Sequence, residues 1–482
     1  MRHTACLTLA MLLTCVAGTA SAAEEQLSPY QWQQAQKVAF DKSEKVYADA
    51  LKRDGLLAQY AAMRDAYRAD KDRAFRIVFG QYLSWYQSFV GDYGGAHDSY
   101  SIRQLPSHED APSPLSSGYA AKPALETIAE LAKGHKAVFF NEAHNVPLTR
   151  TLTVELLSKL RADGYTYFAA ETLYATDADL AKRGYPNSKT GFYTMEPICA
   201  EMVRTALKLG FKVVAYESER DGNGDIREYD QAKNLYERVF KNDPAARVVV
   251  NAGYAHIQEN GKYLGGRSMA QHFTRLSGID PLTVEQTMLI EHPPGTESHP
   301  YYLSAIERLH PSVPTVFVNA KGEPWTLRPK AYDVSVLFPA SPRSDERPSW
   351  ADLDGLRKAY FVAGDFCQKQ FPCLIEARYA DEGEDAIPAD RLVLDPMNAS
   401  NRVNEKVFTG DVEVHGNLYL RPGRYRITGV DRDNHSLARK EVTIGTEGAA
   451  PAHAETTRGR PCAAAGAMPS PPQAAANCDK AG

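Results

Sequence analysis

The sequence predicts an α/β fold: a largely parallel sheet flanked by helices, with a helical N-terminal region and a small C-terminal β-sandwich-like domain. Three observations carry this expectation. Short apolar runs alternate with helix-spaced segments over roughly residues 124–345, as a parallel sheet with crossover helices requires. Several of those runs stop at a carboxylate or an imidazole. Beyond Trp350 the pattern changes to short alternating segments bounded by Gly, Asn, Asp and Pro.

Taken in order, Arg2 and His3 precede an apolar run from Ala5 to Val16 and the small residues Ala20-Ser21-Ala22, the pattern of a secretory signal peptide over residues 1–22. A periplasmic or secreted location is therefore expected. No later stretch reaches the ~18 apolar residues that a membrane helix needs, so no transmembrane segment is expected. Ser28-Pro29 reads as a helix start, Ser as cap and Pro at the first helical position. From there Leu56, Leu57, Tyr60, Met63 and Tyr67, then Ile77, Phe79, Tyr82, Leu83 and Tyr86, recur at helical spacing, and residues 28–103 are assigned to a helical region. Pro106, Pro112, Pro114 and Pro123 mark residues 104–123 as a linker.

In the α/β region the strands expected are Lys136 to Asn141, Tyr165 to Ala170, Phe211 to Tyr216, Arg247 to Asn251, Thr283 to Ile290, Thr315 to Val318 and Val334 to Phe338. Helical patterns fall at about 148–162, 196–209, 228–241 and 267–276. The small β domain covers residues 350–444, and the Ala, Pro and Gly-rich tail 445–482 is expected to be disordered.

An exported chain meets an oxidising compartment, so Cys367 with Cys373 and Cys462 with Cys478 are candidate disulfides, and Cys199 reads as a buried structural thiol. The net charge of −5 and the absence of a basic stripe argue against a nucleic-acid partner. Asp221-Gly222-Asn223-Gly224-Asp225 resembles the start of a calcium loop, but Ile226 stands where the turn Gly belongs, so it reads as a solvated loop.

The candidate site lies at the strand ends. The first strand ends in Glu142 and His144, the second in Glu171 and the third in Glu217; the fourth runs through Asn251 and Tyr254 to His256, and the fifth reaches Glu291-His292. If the sheet is parallel, these groups share one rim, where ligands of open α/β sheets bind. Carboxylates and imidazoles gathered there are costly unless they share protons, hold a metal or grip a ligand. His299, in a Pro-rich loop, reads as structural.

Asn141-Glu142-Ala143-His144-Asn145, Ala170-Glu171-Thr172 and Gly253-Tyr254-Ala255-His256 resemble the motifs of the erythromycin esterase/ChaN-like superfamily, which includes the Tiki and TraB proteins. The resemblance covers roughly residues 124–290; Asn141 replaces the family's first Gly, and Arg227 with Gln231-Ala232-Lys233-Asn234 resembles its pocket helix. It implies an α/β core and several activities: hydrolases using His and Glu on esters, metal-dependent proteases and haem binders. Carried onto this chain, it implies His144 as general base or metal ligand, Glu142 or Glu171 orienting it or activating water, and His256 as the second imidazole. Arg227 and Tyr254 would steady an oxyanion, with Asn251 and Glu217 as further substrate contacts. The expected function is hydrolysis of an ester, lactone or amide in a small-molecule or peptide substrate. A divalent metal (Mn, Co or Zn) on His144, His256 and Glu171 is a candidate cofactor. The alternative is a haem or other small-ligand binding protein using the same histidines.

Overall fold

The computed structural model describes residues 27–220, 224–293, 295–341, 347–396, 402–405 and 412–445. The expected signal peptide, Asp221 to Asn223, the segment 406–411, Cys462, Cys478 and the tail beyond 445 lie outside the described residues.

Four helices open the described chain: α1 (Pro29–Ala50), α2 (Leu56–Ala69), α3 (Arg73–Phe89) and α4 (Tyr93–Ser99). α1 starts on a capping box, in which the Ser28 side chain accepts from the Gln31 N–H and the Gln31 side chain accepts from the Ser28 N–H. α3 is buried on nearly every face because Phe75, Phe79, Tyr82, Trp85 and Phe89 pack inside the helical layer and against Leu374 and Val393 of the later β region.

An eight-stranded sheet follows, formed by β1 (Ala120–Pro123), β2 (Ala137–Glu142), β3 (Tyr167–Ala170), β4 (Lys212–Ala215), β5 (Val248–Gly253), β6 (Leu282–Leu289), β7 (Thr315–Val318) and β8 (Val334–Leu337). Its order is β1-β7-β8-β6-β2-β5-β3-β4. The six strands from β8 to β4 in that order are parallel, whereas β7 runs antiparallel to β8 and β1 antiparallel to β7. β2 and β5 are buried at every residue, as strands covered on both faces must be.

The two-residue period divides their side chains between two cores. Val138 and Phe140 face α5 (Ala124–Ala132), α6 (Leu148–Ala162) and, past the short α7 (Leu180–Arg183), α8 (Pro197–Lys208). Ala137 and Phe139 face α9 (Asp225–Leu235), which continues as a π-helical turn over Tyr236–Phe240, and α10 (Met269–Ser277). Each buried Phe contributes on the order of 1.5–3 kcal/mol by leaving water. α11 (Pro300–Leu309) packs beyond β6 through Tyr302 and Ala305.

The C-terminal strands are β9 (Lys358–Ala363), β10 (Cys373–Tyr379), β11 (Asp390–Leu394), β12 (Arg402–Glu405), β13 (Val412–Leu420), β14 (Gly423–Val430) and β15 (Ser436–Ile444). They make two antiparallel sheets, β11-β10-β14-β15 and β12-β13-β9. Val362 and Leu418 of one share an apolar core with Ile375, Leu392 and Ile427 of the other. Cys367 and Cys373 form a disulfide beside that core, with Cα atoms 5.9 Å apart. Cys199 is free and buried, and burial pushes its thiol well up, away from the reactive thiolate.

Three features differ from the sequence expectation. The Pro-rich segment 104–123 is not only a connector, since Ala120–Pro123 adds an edge strand to the sheet. α5 and α11 stand where no helix was drawn. The sheet carries two antiparallel pairings at one edge, with β7 reversed between β8 and β1, because strand patterning reveals a strand but not its direction. Arg391 of β11 joins the three regions: it pairs with Glu376 at 2.7 Å and donates to the carbonyls of Phe89 and Met195. Among the described residues no helix is long and apolar enough to cross a membrane.

Candidate functional site

The parallel order β6-β2-β5-β3-β4 sets the carboxyl ends of five strands side by side. In register, Glu142 of β2 lies opposite Gly253 of β5, and Ala170 of β3 opposite Asn251. Glu142, His144, Glu171, Glu217 and His256 are thereby brought to one edge, as ligand sites in open α/β sheets are.

The first half of the site is a relay out of the core. Arg150, one turn into α6 and fully buried, donates from Nε to Glu142 Oε2 at 2.6 Å and from a terminal nitrogen to Oε1 at 2.6 Å. It also holds the His144 carbonyl at 2.9 Å and Glu196 at 3.2 Å. Burial works to raise the Glu142 carboxyl, but Arg150 and His144 hold it below its ordinary value, so it is a carboxylate. Glu142 Oε1 lies 3.0 Å from His144 Nδ1. An ionised carboxylate only accepts, which assigns a proton to Nδ1 in this bond and makes Nε2 the nitrogen that carries the lone pair of the neutral ring. The ring is fixed by stacking on Tyr193, centroids 3.9 Å apart and planes 10° from parallel, and by the edge of Tyr254 at 5.0 Å.

The second half converges on Glu171. Its Oε2 accepts from the Gly253 N–H at 2.5 Å, and its Oε1 accepts from Arg227 at 2.7 Å and lies 3.4 Å from His256 Nε2. Burial opposes its ionisation, yet His256, Arg227 and the Gly253 N–H hold the carboxyl far below its usual range. His256 is itself backed by Glu228, whose Oε2 lies 2.8 Å from Nδ1 and also accepts from the Met269 N–H. Burial lowers the affinity of His256 for its proton, but Glu171 and Glu228 raise it more, so the net shift is upward. Arg227 completes the site by clamping Glu217 with Nε at 3.0 Å and a terminal nitrogen at 2.5 Å. Arg227 and Glu217 form the open side, each with a side chain 26% exposed.

Gly253 stands where His144 and Glu171 meet. A Cβ there would lie 2.3 Å from His144 Cε1, 2.5 Å from its Nε2 and 3.1 Å from Glu171 Oε2, so only a residue without a side chain admits this approach. The next residue, Tyr254, holds a left-handed φ of 44°, a conformation that costs a bulky residue on the order of 1–2 kcal/mol and turns the chain back over the strand ends. The Tyr254 carbonyl accepts from Asn141 at 2.8 Å.

Of the expected residues, Glu142, His144, Glu171, Glu217, Arg227, Tyr254 and His256 are together. Asn251 contributes through its backbone, its carbonyl accepting from Tyr216 Oη and from the Glu171 N–H at 3.0 Å each. His292 is directed elsewhere, with Nδ1 2.9 Å from Ser101 Oγ. His299 caps α11 and pairs with Asp110. Arg150, Tyr193, Glu196 and Glu228 were missed. The eight-residue step from Glu142 to Arg150 was the one signal available, but an Arg on a helix ordinarily faces water.

For a metal, the donors offered were His144, His256 and Glu171. Glu171 is occupied by the Arg227 guanidinium and the Gly253 N–H, and His256 Nδ1 by Glu228. Among the described residues no group of three His, Cys, Asp or Glu is arranged to hold a metal ion. The donor set as it stands is organised around a guanidinium instead. For haem, His144 is stacked face to face on Tyr193 and His256 is buried with both nitrogens facing protein groups.

No family model matches the chain, and no curated protein sequence matches it. Similar solved structures include the type III effector HopBA1, with a TM-score of 0.25 and 12% identity over 35% of this chain and 87% of that one. Another, described as bacterial protein toxins, gives 0.28 and 15% over 56% and 69%. The MARTX toxin effector domain RRSP from Vibrio vulnificus CMCP6 gives 0.25 and 15% over 56% and 67%. At these scores the likeness fixes neither fold nor activity.

Proposed function

We propose that the chain is an exported hydrolase that cleaves an ester, lactone or amide by acid–base catalysis at the carboxylate-backed imidazole of His144, with His256 as a charged neighbour, and that it belongs with the erythromycin esterase/ChaN-like proteins. The observation that carries this reading is the Arg150–Glu142–His144 relay, which ends in an imidazole Nε2 at the point where Glu171 and His256 converge.

His144 takes a proton from water through Nε2 as the oxygen adds to the carbonyl, and the charge that forms on the ring is met by Glu142 through Nδ1–H. His144 then gives that proton through Nε2 to the leaving oxygen or nitrogen, while His256, biased toward its protonated form by Glu171 and Glu228, keeps a positive charge beside the site. Arg227, on the open side, faces the oxyanion. The water adds one oxygen to the acyl carbon and one proton to the leaving group, so no external reactant is required. Arg227 supplies the positive charge for which a divalent metal was the other candidate.

The test is a panel of ester, lactone and peptide substrates, run with chelator and with manganese, cobalt or zinc, on the wild type, His144→Ala and His256→Ala. Each substitution is expected to lower kcat/KM by about 10²–10⁴-fold on the substrate that is turned over. Activity unchanged in both variants overturns the reading.

A further inference from the structure

Beside the site lies a cavity of about 160 Å³, lined by Ala143 and Ala255, the chain neighbours of the two imidazoles, and by Tyr254 and Tyr263. These two rings are party walls with the site: Tyr254 stands edge-on to His144 at 5.0 Å and Tyr263 edge-on to His256 at 4.9 Å. The far side is apolar, made by Ile102, Val146, Met288 and Ile290. At one end Ser101 Oγ meets His292 Nδ1 at 2.9 Å, with the His97 ring 6.0 Å from that of His292. Burial and the neighbouring His97 push His292 down to about 3, so its ring is uncharged at neutral pH. No Asp, Glu, Lys or Arg lines the cavity among the described residues.

The size is that of a single six-membered ring, since a cavity of about 150 Å³ accommodates benzene. A charged group placed here would lose its water and find no counter-ion. We propose that this cavity binds an uncharged, phenyl-sized part of the substrate, an aryl group or an acyl chain of about six carbons, with one hydroxyl or carbonyl directed at Ser101 and His292. Its assignment to a substrate rests on the hydrolase reading, whereas its selectivity for a neutral group does not. Through Tyr254 and Tyr263 the bound group would sit one ring away from both imidazoles, so it would orient the scissile bond without touching the proton-transfer atoms.

The experiment uses the full chain and fluorine NMR with three probes: para-fluorobenzyl alcohol, para-fluorobenzoate and para-fluorobenzylammonium. The alcohol is expected to bind at least tenfold more tightly than either ion. Met288→Trp and Ile102→Trp, which fill the cavity from partly exposed positions, are expected to weaken it at least tenfold. Val146→Ile, a one-methylene change, gives the same direction if the larger substitutions disturb folding. In the hydrolysis arm, the ratio of kcat/KM for phenylacetate-type esters to that for acetate esters should fall in the same variants. Equal binding of all three probes, or binding that the filled variants retain, overturns the proposal even if esters are hydrolysed. Selective binding of the alcohol that is lost on filling supports the cavity assignment even if His144→Ala leaves hydrolysis unchanged, an outcome that would remove only the hydrolase reading.

Discussion

Glu171 Oε1 lies 3.4 Å from His256 Nε2, and each residue holds the other in its charged form although both are buried. The stability of the site is thereby tied to pH from two directions. His256 has a folded pKa above the ordinary value of about 6.5, so its contribution is complete below that pH and is lost as pH rises through the folded value. Glu171 has a folded pKa below the ordinary value of about 4.3, so its contribution is complete above that pH and is lost as pH falls toward the folded value. Urea midpoints measured from pH 3 to 9 should fall at both ends in the wild type. His256→Gln should flatten the alkaline limb, and a limb unchanged in that variant would refute the coupling.

Arg150 should be far more sensitive than its distance from solvent suggests. Its removal leaves Glu142 and Glu196 as buried carboxylates without their cation, and Arg150→Ala is expected to cost about 3–5 kcal/mol. Adding Glu142→Gln should restore part of this loss, because one uncompensated charge is then gone. Chemical denaturation of the single and double variants checks both statements; a double variant no more stable than the single would mean that Glu142 is not the group being compensated.

Gly253→Ala separates catalysis from folding. The φ of −75° at this position suits alanine, so the strand survives. The added methyl, at 2.3 Å from His144 Cε1, forces the imidazole aside. A displacement of this kind is expected to lower kcat/KM by on the order of 10²-fold. Overpacking one methyl against the buried ring is expected to cost about 1–3 kcal/mol without unfolding the strand; a variant with full activity would show that His144 does not need its observed position.

Much of the α/β layer was legible because its strands are buried on both faces and therefore read as uninterrupted apolar runs: Ala137 to Phe140, Tyr167 to Ala170 and Val248 to Val250. The edge strand Ala120–Pro123 was not, since its four residues are exposed and its composition is that of a turn. Glu142, His144, Glu171, Glu217 and His256 could be picked out because each ends an apolar run. Arg150 and Glu228 could not, because a charged residue within a helical pattern looks like a solvated face until the packing of α6 and α9 buries it. His292 ends its strand in the same way as the others, yet the register of β6 directs it to Ser101 and the cavity rather than to Glu171.

The position of β5 between β2 and β3 has a consequence for biosynthesis. The ribosome makes residues 137–142 and 167–170 long before residues 248–253, yet those two earlier strands meet only through the later one. A nascent chain halted before Val248 holds Glu142, His144 and Glu171 but lacks the wedge that brings them together, along with His256. Such a fragment cannot assemble the rim, which comes together only when β5 is inserted between its two earlier neighbours.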